Sequence, residues 1–195
     1  MSTEFPNWFE ITAKNNFLKF LNEFKNQSNL NFLQLGAYTG DATVWVVENI
    51  FKDKSCFITD VDTWLGSDET AHQSINFNEV YLFYKNRIES YNYCVNVKKQ
   101  TTFSFLLKEV NNYESFYDFV YIDADHMASS VLIDSELSWR ILKNGGIMAF
   151  DDYTWGKSLP FYKSPKIAID IFLETHKAEL EILEKNHQVW VRKIT

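Results

Sequence analysis

Apolar residues fall at Phe17, Phe20, Leu21 and Phe24, a helical spacing that predicts an amphipathic helix from about Trp8 to Lys25, lying against or over the remainder of the chain. The period then changes. NFLQLG (Asn31 to Gly36) reads as a short buried strand, and the turn AYTG leads into the helical stretch DATVWVVENIF. The exchange repeats with strand CFITDV (Cys56 to Val61), a polar loop from Asp62 to about Ser74, and a helix from Asn78 to about Ser90. Strand YCVNVKK is followed by a helix from Phe103 to Val110, and strand YDFVYID (Tyr117 to Asp123) by the helix MASSVLIDSELSWRILK. Asn144-Gly145-Gly146 supplies the expected helix stop. A fifth strand, Ile147 to Asp151, precedes a loop that Gly156, Pro160 and Pro165 interrupt. A helix from about Lys166 to Lys177 and two alternating strands around Asn186-His187, close enough for an antiparallel hairpin, complete the pattern. Seven strands alternating with helices predict an α/β fold with a mostly parallel sheet covered on both faces.

Composition narrows this picture. Of 195 residues, 46% are hydrophobic and 17% aromatic, too apolar for disorder and enough for one domain with a sizeable core. The division expected is a helical cap over residues 1–30 and a core over 31–195. A formal charge of -7 with scattered lysines argues against nucleic acid. No run approaches the length of a spanning helix, and MSTEFPNWFE has neither a basic nor an apolar leader region, so the reading is cytoplasmic, with no membrane partner. Cys56 and Cys94 lack metal-type spacing and are expected as buried free thiols.

In such a sheet, ligands bind beyond the carboxyl ends of the strands, where strand order reverses. Gly36 and Gly40 in LGAYTG let backbone approach a ligand there, with free amides aimed at it, and the spacing is wider than the G-x-G-x-x-G of dinucleotide loops. Asp62 ends the second strand about 22 residues further on, where an acid can accept both hydroxyls of an adenosine ribose; Asp60 competes for the role.

LQLGAYTGDATVW, ITDVDTW, YIDADH and FDDYTW together give the chain, over roughly residues 31 to 156, a pattern that resembles class I S-adenosylmethionine-dependent methyltransferases. It is most similar to the small metal-dependent O-methyltransferases of the catechol and caffeoyl-CoA types and to macrolide sugar O-methyltransferases. The resemblance implies a Rossmann-like fold with S-adenosyl-L-methionine as cofactor. Gly36, Ala37, Tyr38 and Gly40 would hold its methionine part, Asp62 its ribose and Thr102 its adenine end, with Asp123 beside it. Two positions depart from the family: Gln34 stands where an acid is common and Gln100 where a glycine is more usual.

Asp123 closes the fourth strand, and Asp151 with Asp152 the fifth. Neighbouring strands would bring these three acids to one edge, a hard oxygen set suited to Mg²⁺, provided the backbone turns between Asp151 and Asp152. Asp125 is expected to cap the helix starting near Met127. His126 lies three residues after Asp123, in the slot where the resembling enzymes carry a lysine base, and a side chain with an unperturbed pKa of ~6.5 suits proton removal near neutrality. His72, His176 and His187 offer no comparable setting. The expected reaction is methyl transfer to a hydroxyl of a small molecule, a phenol, catechol or sugar. Trp64, Trp155 and Phe161 are placed in loops around the acceptor, and a homodimer is left open. The alternatives are a non-catalytic cofactor-binding domain, a metal-independent methyltransferase and a nicotinamide oxidoreductase.

Overall fold

A computed structural model describes residues 5–67 and 73–195; His72 and part of the loop after Asp62 lie outside the described residues. Seven strands form one sheet in the order β3-β2-β1-β4-β5-β7-β6: β1 Asn31–Leu35, β2 Phe57–Asp62, β3 Val95–Lys99, β4 Tyr117–Ile122, β5 Leu142–Phe150, β6 Leu180–Lys185 and β7 Val189–Lys193. The first five run parallel, while β7 pairs antiparallel with both β5 and β6. The helices are α1 Trp8–Thr12, α2 Lys14–Phe20, α3 Asp41–Asn49, α4 Phe77–Ile88, α5 Thr102–Asn112, α6 Ala128–Ile141 and α7 Pro165–Thr175. This is the expected Rossmann-like arrangement. Strand order reverses between β1 and β4, which places a crevice at their carboxyl ends.

Alternation along the central strands separates two cores. Phe32, Phe119, Tyr121, Ile147 and Ala149 face α1 to α4, whereas Leu33, Leu35, Val120, Ile122, Met148 and Phe150 face α5 to α7. Both faces of these central strands are therefore buried beneath helices. Among the described residues no helix is long and apolar enough to cross a membrane. Cys56 and Cys94 are buried and unbridged.

Two local features differ from the sequence reading. The amino-terminal helix is not continuous: it breaks at Ala13 and ends in a 3₁₀ turn at Leu21–Phe24. The Thr12 hydroxyl donates back to the Trp8 carbonyl at 3.0 Å, a competing bond that bends helices. The bend seats Phe17 edge-on against Phe9, Trp45, Phe119, Tyr121 and Trp190, at ring separations of 5.0 to 5.8 Å. The second difference concerns Asn144-Gly145-Gly146, which does not stop α6. The helix ends at Ile141 because Leu142 turns extended and pairs with Tyr117, and the register then shifts before Phe119 meets Ile147. Gly145, at φ +81°, gives the strand the left-handed residue this irregularity needs.

Phe17 thus anchors the amino-terminal segment to the sheet. Phe17→Ala is expected to lower the unfolding free energy by about 3–5 kcal/mol, read from urea melts. A loss below about 1 kcal/mol would mean that the segment contributes little to the folded state.

Candidate active site

The turn after β1 is built by what Gly36 lacks. At φ +88°, a Cβ on Gly36 would lie 1.9 Å from the Asp123 carbonyl oxygen, so the turn can settle directly on the tip of β4 only without a side chain. Gly40, at φ +78°, packs in the same way on the Tyr84 ring of α4, which its Cβ would meet at 2.9 Å.

Asp62 stands at this turn as expected, but it already has donors. Its Oδ2 accepts from the amides of Ala37 and Tyr38, both at 2.9 Å, and Oδ1 from the amide of Trp64 at 2.6 Å. Those two loop amides therefore face the carboxylate rather than a ligand. The remaining lone pairs are what Asp62 can offer a ribose. Trp64 is fully buried against Tyr81 and Tyr84 and donates Nε1 to the Tyr38 carbonyl at 2.9 Å, so it is a packing residue of the turn and not an acceptor wall. The amino terminus of α3 has no side-chain cap, which leaves its backbone donors for a ligand. The buried Tyr38 hydroxyl also has no hydrogen-bond partner among the described residues, and burial, with Asp41 nearby, pushes it up to about 12. These features fit the carboxylate-bearing methionine end of S-adenosylmethionine.

Beneath the turn, Gln34 and Asp60 sit opposite one another on β1 and β2. Gln34 donates to the Gly36 carbonyl at 2.9 Å, and Asp60 accepts from Thr43 and Tyr84, each at 2.7 Å. Asp60 is therefore part of the loop's foundation and does not compete with Asp62. The acid absent from position 34 is found one strand away. Thr102, expected at the adenine end, opens α5 near Asp134 of α6, a carboxyl that burial raises to about 7.

The acidic edge forms at the tips of β4 and β5. Asp152 adopts φ +57°, so the chain does turn between Asp151 and Asp152, and both acids stay at the same edge. Asp123, His126 and Asp152 bring one ligand atom each to within 4.8 Å of one another; Asp151, Asp152 and His187 form a second such group. A hollow of about 10 Å³, lined by Asp123, Asp125, His126, Asp151 and Asp152 among others, has room for one water or ion. His126 Nε2 lies 2.8 Å from Asp152 Oδ2, with its ring 4.3 Å from that of Trp155. Asp125 accepts from the Met127 amide at 3.1 Å in the turn before α6; Met127 is the N-cap of that helix and no side chain caps it, so Asp125 does not take the capping place expected of it. Asp151 is deeper: Oδ2 accepts from the Tyr121 hydroxyl and, at 3.0 Å, from Gln188 Nε2, and Oδ1 from the Asp152 amide at 2.7 Å. Burial and the neighbouring carboxylates push Asp123 and Asp151 above the usual carboxylate range. A divalent cation would reverse that pressure.

Sequence reasoning passed over His187 and Gln188, which reach the site from the β6–β7 turn. The hairpin was legible, but only its pairing beside β5 puts that turn level with Asp151. His176 instead lies between Glu136 and Glu179 on α6 and the segment after α7. Phe161 is 70% exposed, available to a ligand but engaged by Tyr162 alone among aromatic neighbours of the described chain.

Residues 33–153 match a family model described as a methyltransferase domain. No curated protein matches the chain. Solved structures do. An O-methyltransferase from Bacillus cereus in complex with SAH aligns with a TM-score of 0.67 at 16% identity, covering 98% of this chain and 84% of that one. A candidate rRNA methylase from Clostridium thermocellum gives 0.68 at 12%, covering 94% and 97%. The MycE methyltransferase of the mycinamycin biosynthetic pathway, in complex with Mg and SAH, gives 0.59 at 13%, covering 98% and 51%. At these identities the likeness is one of fold.

Asp60 gives a pH signature. Burial holds it up at about 7 against the hydrogen bonds from Thr43 and Tyr84. Between about pH 4 and 7 the folded chain therefore keeps a proton that the unfolded chain has lost, and stability falls as pH rises through that window. Asp60→Asn is expected to make that decline shallower in melts recorded from pH 4 to 8. An unchanged slope would show that Asp60 is ionised throughout.

Proposed function

The chain belongs to the methyltransferase-domain family, and from that premise we propose that it transfers a methyl group from S-adenosylmethionine to a hydroxyl of a small molecule, with a divalent cation such as Mg²⁺ held by the acidic edge. The observation that carries the reading is the adjacency of two sites. Gly36 rests on the backbone of Asp123, so the glycine turn that would receive the methyl donor shares a border with the hollow of Asp123, His126 and Asp152. In this reading residues 1–30 are a cap on a single domain.

S-adenosylmethionine supplies an electrophilic methyl group on a sulfonium centre. A bound cation would orient the acceptor oxygen and stabilise its negative charge. Asp123 and Asp152 would hold that cation; Asp151, with three donors already on its carboxylate, sets the turn that aims Asp152 and has only a second lone pair of Oδ1 left to contribute. His126 takes the acceptor's proton, and Asp152, 2.8 Å away, steadies the resulting imidazolium. Trp155 packs on that imidazole and restricts its orientation. Asp62 and the uncapped start of α3 fix the donor end, and such alignment of two bound reactants can remove ~7 kcal/mol or more of the barrier. The formal charge of -7 disfavours a polyphosphate acceptor and suits an uncharged or cationic one.

The test is incubation with methyl-labelled S-adenosylmethionine, Mg²⁺ and a panel of catechols, sugars and glycosylated metabolites. Label should reach a hydroxyl, EDTA should abolish transfer, and His126→Ala should slow it by roughly 10²- to 10⁴-fold. Turnover that survives EDTA would sink the cation's part, full rate in His126→Ala would sink the base, and cofactor binding without transfer to any acceptor would identify a non-catalytic domain.

A further inference from the structure

We propose that His187 is a nitrogen ligand of the cation at the acidic edge, so that the site prefers a transition-metal ion of the Mn²⁺ type to Mg²⁺. The proposal rests on the cation reading above and places the ion on the side of Asp152 shared with Asp151 and His187, a group distinct from that of Asp123, His126 and Asp152, with a selectivity which the acids alone do not imply.

The hairpin turn carries His187 to the acids. β7 lies antiparallel beside β5, with Phe150 opposite Val189, and the Tyr153 amide donates to the His187 carbonyl at 2.9 Å. The backbone of the turn is thereby tied to the residue just after Asp152. Gln188, fully buried, donates Nε2 to Asp151 and accepts at Oε1 from Asn16 and Trp190, at 2.8 and 2.9 Å. The turn is thus pinned from three sides, and the position of its imidazole is set by the fold.

The imidazole is oriented at both nitrogens. Nδ1 lies 3.0 Å from the Thr154 hydroxyl, and Nε2 lies 3.5 Å from Asp151 Oδ1 and 3.7 Å from Asp152 Oδ1. When Nδ1 donates its proton to Thr154, the lone pair of Nε2 faces two carboxylate oxygens, an electron-rich trio that calls for a positive charge among its members. A histidine whose outer nitrogen is held by a hydrogen bond while the inner one meets carboxylates is the arrangement by which proteins orient metal-binding imidazoles. Asp152 belongs to both histidine groups, through Oδ2 toward His126 and Oδ1 toward His187.

Selectivity follows from the donor set. Mg²⁺ takes oxygen ligands and gains little from an imidazole, whereas Mn²⁺ and later divalent ions bind mixed nitrogen and oxygen sites more tightly. Isothermal titration of the full chain with MnCl₂ and with MgCl₂ would read the ratio. It should favour Mn²⁺ in the wild type and fall by roughly tenfold in His187→Gln, with Mg²⁺ affinity little changed. The direct readout is pulsed electron paramagnetic resonance of bound Mn²⁺ in a His126→Gln background, which removes the other imidazole near the site. Nitrogen modulation should persist there and vanish when His187→Gln is added. Mn²⁺ binding without nitrogen modulation in His126→Gln, or an unaltered Mn²⁺/Mg²⁺ ratio in His187→Gln, would overturn the role of His187 while leaving the cation reading intact. Failure of both ions to bind the wild type would overturn both.

Discussion

Everything at the carboxyl edge of the sheet depends on backbone meeting backbone where Gly36 rests on Asp123. At a strand-order reversal the loops after β1 and β4 part to opposite faces, and a crevice opens between them. Any side chain at position 36 would wedge the two tips apart. With none, the glycine turn sits low enough for its carbonyls and amides to be reached by Gln34, Asp62 and Trp64. The turn is thus held from below and beside, and what it presents upward is the uncapped start of α3. Rigidity here comes from polar groups satisfied within the protein, which a ligand need not order on arrival.

The opposite holds a few ångströms away. Asp123, Asp151 and Asp152 gather negative charge that burial makes costly, and the donors supplied to Asp151 by Tyr121, Gln188 and the Asp152 amide offset only part of it. Asp152 adds a left-handed backbone conformation, which for a residue other than glycine carries its own cost. Folding stability alone would select against such a cluster. Its presence beside a preorganised turn is what an edge shaped for a positively charged or proton-bearing ligand looks like.

The alternation of periods made the sheet, its layers and its terminal hairpin legible, because the central strands are buried on both faces and most helices on one. The acids were legible as well, since residues just after strands gather at one edge whatever the details. Pairings that depend on register were not. Asp62 looked free for a ribose, because nothing in the spacing says that the amides of Ala37 and Tyr38 turn back upon it. Asn144-Gly145-Gly146 read as a helix stop, yet pairing of Leu142 with Tyr117 had already ended the helix. The break at Ala13 comes with a bond from the Thr12 hydroxyl to the Trp8 carbonyl, a local feature too small to alter an apolar pattern. His187 and Gln188 lie 35 or more residues from every acid they approach, and only the side of the sheet on which the hairpin docks could have revealed them.

That docking has a consequence for how the parts communicate. Asn16 of α2 donates to Gln188, Gln188 donates to Asp151, and Asp151 accepts the amide that fixes the turn at Asp152. Each link is at 3.0 Å or less, and Gln188 is fully buried, so water cannot readily substitute for a lost partner. The amino-terminal helices also touch the glycine turn, through the rings of Trp8 and Tyr38 and through Asn7 and Asp41. One segment thereby contacts both halves of the edge: the turn directly and the acids through a single glutamine. A shift of α1 and α2 together would strain Asp151 and disturb Tyr38 at once. The segment over residues 5–24 is therefore bound to the geometry of both sites, which explains why so much aromatic surface, centred on Phe17, is committed to holding it against the sheet.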